Sequence, residues 1–358
     1  MALQDYGYRI VQIEVTNRCN MRCTFCPVPI REIPLRDMRK GEIFGILEEL
    51  AKWDGIENIA FHQFGEPLLY EGLWDCVEKA RGLGLQTDVT TNGLLANRET
   101  AMKMIDTPPD FLVVSLNTIT PEHYYATRGT KAPYEKYIDG ITDFLSVIVD
   151  SDHDIRRINT LIAVNDTRWR GWRHWVKQKI GLVRAQDPTI YDPGPLKVRP
   201  HFVLFLEILE AKSERFQFSE EELDQRIDDY FNFRTRGRIN IAYELAPNNH
   251  IVYKEFAHGR RLTQHYPVEK ALCGTKILGI LADGTVTACC VDYDGSTGLG
   301  NIFEGDLETI LDRSRAILDG LRRTGELHFE VCKKCRGAPT WIGARIKEYR
   351  TKKSLGAT

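Results

Sequence analysis

The sequence predicts an α/β protein with a second, smaller unit towards its C-terminal end. Three observations carry this. From residue 8 to about 206, apolar runs of strand length alternate with longer amphipathic segments, the pattern of βα units that build a parallel sheet. With 358 residues, 42% of them hydrophobic, the chain has apolar surface for one large core and a smaller one. Beyond Cys273 turns multiply, and Asp283-Gly284 between two apolar runs is a strong hairpin signal.

Strands are expected over 9–15, 58–64, 86–91, 111–116, 155–164 and 196–205. Helices fall between them: over 42–53, Ile43, Ile46, Leu47, Leu50 and Trp53 recur at helical spacing. Tyr191-Asp192-Pro193-Gly194-Pro195 reads as a loop leading into the last of these strands. Ser219-Glu220-Glu221-Glu222 reads as a capping box opening a helix to about residue 231. Residues 8–206 thus form the large domain, 207–265 a connecting region and 266–340 the small domain.

Composition narrows the function classes. A formal charge of −2 gives no global pull towards nucleic acid or acidic membrane. Met1-Ala2-Leu3-Gln4-Asp5-Tyr6 has no apolar signal core, and no apolar run reaches membrane-span length, so a cytoplasmic location is expected. Between Thr167 and Lys177 aromatics interleave with basic residues, a pattern seen in nucleic-acid binding. Trp169, Trp172 and Val176 share a helical face, which favours a helix packing its tryptophans inward. His250, His258 and His265 show no metal-ligand spacing and read as surface or core histidines.

Nine cysteines fall into a CxxxCxxC, a CC pair and a CxxC, which suits metal binding in a reducing compartment better than a disulfide framework. Cys76 stands apart in a helical pattern as a buried inert thiol. The first group reads Cys19-Asn20-Met21-Arg22-Cys23-Thr24-Phe25-Cys26 and follows the first strand directly. Three thiolates hold three irons of a [4Fe-4S] cube and leave one open. A zinc site wants four ligands, usually in CxxC-type pairs, and no neighbouring Cys or His completes one here.

This spacing, with Phe25 just before the third cysteine, resembles the radical S-adenosylmethionine (SAM) enzymes. The resemblance implies that SAM chelates the open iron and is cleaved to a 5′-deoxyadenosyl radical that takes hydrogen from a substrate carbon. It also implies that the six βα units form a partial (β/α)6 barrel with the cluster at its mouth. His62-Gln63-Phe64-Gly65-Glu66-Pro67 resembles the family's Gly-Gly-Glu motif. Phe64 replaces the first glycine, so Gly65 and Glu66 carry over as holding the SAM amino group. Thr90-Thr91-Asn92-Gly93 matches a frequent family turn. Ser115 and Asn117 stand where the family contacts the SAM ribose. Arg128, before Gly129, matches an arginine that pairs with the SAM carboxylate; the alternative is a solvated charge at a helix end.

The second group is Cys273, Cys289-Cys290 after Asp283-Gly284, and Cys332-Lys333-Lys334-Cys335. It resembles the SPASM/twitch extension of the same family. The resemblance implies a twitch-type domain whose auxiliary [4Fe-4S] cluster is fully ligated by Cys273, Cys289, Cys332 and Cys335, with a four-cysteine zinc site as the alternative. Full ligation implies electron transfer, in particular acceptance of an electron from the substrate radical. Cys290 is left as an inert thiol, a substitute ligand or a hydrogen-atom donor in an epimerisation.

The function so implied is oxidation or epimerisation of an alcohol centre in a small aminocyclitol- or sugar-type metabolite of antibiotic biosynthesis. A flavodoxin- or ferredoxin-type electron donor is implied, and no nucleic-acid or membrane partner. The alternative is modification of a ribosomally made peptide. Against it, the barrel pattern beginning near residue 8 leaves no room for a leader-binding module before it.

Overall fold

The computed structural model describes residues 2–24, 26–117, 119–152, 154–162, 194–216, 241–244, 266–290, 292–338 and 340–356. Among these residues nine strands form one sheet in the order β6-β5-β4-β3-β2-β1-β7-β8-β9. The first six are β1 (Ile10–Ile13), β2 (Asn58–Ala60), β3 (Thr87–Thr91), β4 (Phe111–Asn117), β5 (Arg157–Ile162) and β6 (Ile241–Glu244), all parallel to their neighbours. Helices α1 (Lys40–Leu50), α2 (Leu73–Gly82), α3 (Arg98–Asp106), α4 (Pro121–Thr127) and α5 (Tyr134–Asp150) return the chain between them. This is a partial (β/α)6 barrel.

Alternation of burial along the strands separates two faces. Val11, Ile13, Ile59, Val89, Leu112, Val114 and Ile158 are buried on the face that forms the core. Registered residues of parallel strands share a face, and Gln12 aligns with Ala60, Ala60 with Asp88, and Asp88 with Phe111 on the other one. Two residues beyond Ala60 and Asp88, His62 and Thr90 fall on that same inner face, and so does Ser115, four beyond Phe111. Polar side chains thus gather towards the loop end of the inner face, beside Ala60, Phe111 and Val113.

The sixth strand is not residues 196–205. That stretch lies inside the helix α6 (Gly194–Lys212), whose buried Phe205, Leu206 and Leu209 recur at helical spacing on the side that meets α5. The continuous run Val203-Leu204-Phe205-Leu206 looks like a buried strand because periodicity cannot separate the two in so short a run. The sixth place is taken by Ile241–Glu244, from the stretch read as a connector. The helix read from 219 to 231, the segment 167–177 and His250, His258 and His265 lie outside the described residues.

The C-terminal strands β7 (Ile277–Ile280), β8 (Thr285–Thr287) and β9 (Gly298–Asn301) extend the same sheet. β7 runs parallel to β1, with Ile10 opposite Ile277 and Ile13 opposite Ile280. The predicted hairpin is present: β7 and β8 pair antiparallel, and Gly284 supplies the left-handed turn with φ 88°. Helices α7 (Leu307–Arg313), α8 (Arg315–Asp319), α9 (Glu330–Arg336) and α10 (Trp341–Ser354) complete this part. Among the described residues no helix is long and apolar enough to cross a membrane.

Candidate functional site

The loop after β1 that carries Cys19, Cys23 and Cys26 is gripped from two sides. On one side Glu66 N–H donates to Arg18 O at 2.8 Å, and a Cβ on Gly65 would stand 1.8 Å from Thr16 O. Only glycine allows that approach. On the other side Arg22 N–H donates to Arg128 O at 3.2 Å and Thr24 N–H to Thr127 O at 2.8 Å. Gly129, at φ 58°, lets this segment press on the Arg22 carbonyl. The loop then returns to its own strand: Arg31 pairs with Glu14 at 2.6 Å, both side chains almost wholly buried, and Ala282 N–H donates to the same carboxylate at 3.2 Å.

Glu66 sits at the centre of a hydrogen-bond cluster. Its carboxylate accepts from Thr91 Oγ1 and Asn92 N–H, both at 2.7 Å, and from Leu68 N–H at 3.2 Å. Burial pushes its carboxyl up to about 7 despite these donors. Asn92 also donates through Nδ2 to Asn20 Oδ1 at 2.8 Å and to Cys19 Sγ at 3.6 Å. Arg128 is 1% exposed, so it is not a solvated charge at a helix end. Its Nη2 donates to Asn92 O at 2.8 Å, and to Ser115 O and Tyr137 Oη at 3.2 Å each. Asn117, which ends β4, has the left-handed φ of 55°, the one non-glycine positive φ among the described residues. Phe25 lies outside the described residues.

These surroundings fit an iron–sulfur cluster. The three thiols lie within electrostatic reach of one another, and Arg128 faces them with its charge. Burial pushes Cys19 up to about 11 and Cys26 up to about 12, so the bare thiols keep their protons until metal replaces them. Asn20 Nδ2 and Arg128 Nε are buried donors without a partner, suited to anionic sulfur or to a ligand carboxylate.

The second cysteine group gathers around Tyr8 and α9. Cys332 lies within electrostatic reach of Cys335 and Cys273, and Tyr8 within reach of Cys289 and Cys273. The Arg322 guanidinium stacks on Tyr8 at 4.0 Å and leaves Nη1 buried without a partner, a charge suited to thiolate-bound metal. Cys290 Sγ lies 3.8 Å from Thr275 Oγ1, and its contact with Cys289 pulls its thiol down to about 7. Among the described residues no three Cys, His, Asp or Glu side chains converge on a single-ion site. A surface cleft of about 900 Å³ lined by Arg36, Glu42 and Phe303 shares no residue with either cysteine group.

The turn after β2 meets the loop that follows Cys290. Gln63 Nε2 donates to Asp292 O at 2.9 Å, and Phe64 stands edge-on to Tyr293 at 6.2 Å. Asp292 in turn caps its own loop by accepting from the N–H groups of Gly295, Ser296 and Thr297. Sequence reading missed Gln63, Asp292 and the hub role of Asn92; for Asn92 the Asn-Gly turn after β3 was the available signal. It also missed two buried ionisable groups of the inner face. Burial lowers His62 to about 4 and leaves its Nδ1 without a partner. Burial raises Asp88 to about 6, with Thr90 Oγ1 donating to it at 3.1 Å.

Comparison with known proteins agrees with this architecture. Residues 13–152 match the radical SAM superfamily model, and residues 273–336 match the SPASM iron–sulfur cluster-binding domain. A GTP 3′,8-cyclase of Heliobacterium modesticaldum is 35% identical over 224 residues, which cover 52% of this chain and 68% of that protein. The chain spans about half the length of the first curated relatives it matches. Streptococcus suis SuiB bound to S-adenosylmethionine superposes with a TM-score of 0.53 at 14% identity, over 88% of this chain and 68% of SuiB. The structure of anSMEcpe with bound AdoMet and Cp18Cys peptide gives a TM-score of 0.50 at 15% identity, over 98% and 96% of the two chains. The paired cysteine groups, the polar loop end of the inner face and these matches together show that the chain belongs to the radical SAM superfamily, carries a SPASM domain, and takes S-adenosylmethionine with two [4Fe-4S] clusters.

Proposed function

We propose that this enzyme takes hydrogen from an alcohol carbon of a small aminocyclitol- or sugar-type metabolite and either oxidises that centre, in which case the auxiliary cluster would accept the electron left behind, or epimerises it, in which case a hydrogen-atom donor returns hydrogen to the opposite face. The observation that supports it most is the contact of Gln63 and Phe64 with Asp292 and Tyr293. It sets the turn of Gly65 and Glu66 against the loop that follows Cys289, so the two sites are joined by packed protein. SAM and the first cluster, when bound, supply the hydrogen abstraction.

The chain's own residues do the rest. Cys19, Cys23 and Cys26 hold the first cluster, and Cys273, Cys289, Cys332 and Cys335 hold the auxiliary one. Glu66 receives the SAM ammonium, Gly65 lets the backbone approach, and Ser115 and Asn117 meet the ribose. Arg128 braces the turn of Asn92 and turns its unpartnered Nε towards the SAM carboxylate. His62 stays neutral at pH 7 and offers hydrogen bonds to substrate hydroxyls. Asp88, titrating near neutrality, takes the hydroxyl proton as hydrogen leaves the adjoining carbon.

A second reading takes its substrate from the name of the cyclase relative, a purine nucleoside triphosphate. The described inner face offers Asp88 and a Glu14 already neutralised by Arg31, which favours a neutral or cationic ligand. Peptide modification is the remaining alternative. The deciding experiment incubates the anaerobically reconstituted enzyme with SAM and reductant in deuterated water, against aminocyclitols, sugars, GTP and peptides. The readouts are 5′-deoxyadenosine and product mass. Loss of two hydrogens from a cyclitol or sugar supports oxidation. Unchanged composition with one solvent deuterium supports epimerisation, and Cys290→Ala then tests the hydrogen donor. Turnover of GTP or peptide alone overturns the reading.

A further inference from the structure

Between Glu330 and Gly356 the chain carries eight basic residues against two acidic ones, although its formal net charge is −2. This charge is concentrated on α9 and α10. None of the residues of α9 is buried, so the helix that bears Cys332 and Cys335 is itself part of the molecular surface. Lys347 Nζ donates to Gly337 O at 2.6 Å, which locks α10 against the end of α9 and makes one continuous face.

On α10 a stripe of exposed side chains runs along one face, with Arg350 and Ser354 exposed beside it. Trp341, Arg345, Tyr349 and Lys352 recur at intervals of four, four and three residues, and Ile342 and Lys353 flank them. Trp341, Ile342 and Tyr349 are 58%, 60% and 66% exposed, an unusual concentration of large apolar side chains in water. The opposite side is buried through Gly343 and Ala344. Glu348 accepts both Arg345 and Lys352, holding these cations in place without cancelling the surplus.

We propose that this face docks an acidic one-electron carrier protein of the flavodoxin or ferredoxin class, which relieves the auxiliary cluster of its electron. The inference rests on the reading of that cluster as the electron acceptor. One electron passes from the reduced auxiliary cluster to the oxidised carrier; the cluster returns to its oxidised state, the carrier is reduced by one electron, and no atom moves. Exposed aromatics with arginine are the composition of binding hot spots. A surrounding field of one sign steers a partner of the opposite sign. Electron-transfer encounters need only small interfaces, which one helix and a half can supply. The docked partner would sit directly over the helix of Cys332 and Cys335.

The test uses reconstituted holoenzyme reduced chemically and mixed in stopped flow with an oxidised acidic flavodoxin, following cluster reoxidation. The double variant Tyr349→Ser with Lys353→Glu is compared with the native protein. The expected result is a second-order rate lowered about tenfold or more, with a weaker dependence on salt, while reoxidation by a small neutral quinone is unchanged. Equal rates with flavodoxin overturn the proposal. So does the same salt-sensitive loss in binding to anionic phospholipid vesicles, or in self-association, with flavodoxin rates intact. Because reduction is chemical rather than by turnover, failure of the proposed reaction leaves this measurement interpretable, and a negative result here leaves that reaction untouched.

Discussion

The Arg128 guanidinium donates to the backbone carbonyl of Asn92 at 2.8 Å, so the arginine after α4 buttresses the turn after β3 from beneath. Asn92 in turn gives its N–H to Glu66 and its side chain to Asn20 and Cys19. Three βα loops are thereby fixed around the cysteine loop before any cofactor arrives. The predictions below probe that arrangement and the polar side chains beneath it.

Glu66 is held near pH 7 by burial, so it is mostly protonated in acid and charged above neutrality. A carboxylate that receives an ammonium group binds best when charged. SAM affinity, measured by calorimetry on reconstituted protein, is expected to rise as pH increases through about 7. Glu66→Gln should weaken binding about tenfold or more and abolish this dependence.

His62 has the opposite signature. Its folded-state value of about 4 lies below the ordinary 6.5, so the unfolded chain takes up the proton first. The stability it contributes is complete above 6.5 and is lost as pH falls towards 4, up to about 3 kcal/mol. His62→Gln should flatten this part of the stability curve in urea titrations at matched pH.

Asp88→Asn removes the proton acceptor but keeps the shape. Formation of 5′-deoxyadenosine should persist while product formation falls about 10²-fold or more. Equal losses of both would show instead that Asp88 supports the fold of the inner face.

Gly65→Ala places a methyl group against the Thr16 carbonyl, a backbone atom that cannot swing aside. The cost is expected at about 1–3 kcal/mol or more, and it falls on the cysteine loop. Iron bound on reconstitution should drop from about eight to about four per chain, with the auxiliary cluster retained.

The buried pair of Glu14 and Arg31 should behave asymmetrically. Glu14→Gln or Arg31→Met alone strands a buried charge and is expected to cost about 3–5 kcal/mol. The double variant Glu14→Leu with Arg31→Met should recover most of that loss, measured by thermal unfolding.

Much of this molecule was legible in its sequence where the chemistry is local. CxxxCxxC, Gly65-Glu66 and the closing CxxC declare themselves because the ligands of one cluster, or the atoms of one turn, come from neighbouring residues. The parallel strands were legible for the same reason, with one exception: Leu196 to Phe205 alternates apolar with basic residues and then runs apolar from Phe202, which reads as a strand, and its helical periodicity shows only over the full length of α6. What stayed hidden depends on residues far apart in the chain. Gln63 finds Asp292 across 229 residues, and no spacing rule reaches that far. The Asn92-Gly93 turn was visible, but the partners that make Asn92 a hub, Asn20, Glu66 and Arg128, lie 26 or more residues away in the chain. His62 and Asp88 look like ordinary polar strand residues until the register puts them on one inner face.

The pairing of β7 with β1 means that the strand leading into the first cysteine loop is an interior strand, flanked by β2 on one side and by the C-terminal hairpin on the other. Excising the C-terminal unit would turn β1 into an edge, with a row of unpaired backbone N–H and C=O groups open to another molecule. A fragment ending before residue 266 should therefore self-associate rather than persist as a free barrel. The unit that carries the auxiliary cluster thus also guards the barrel against aggregation.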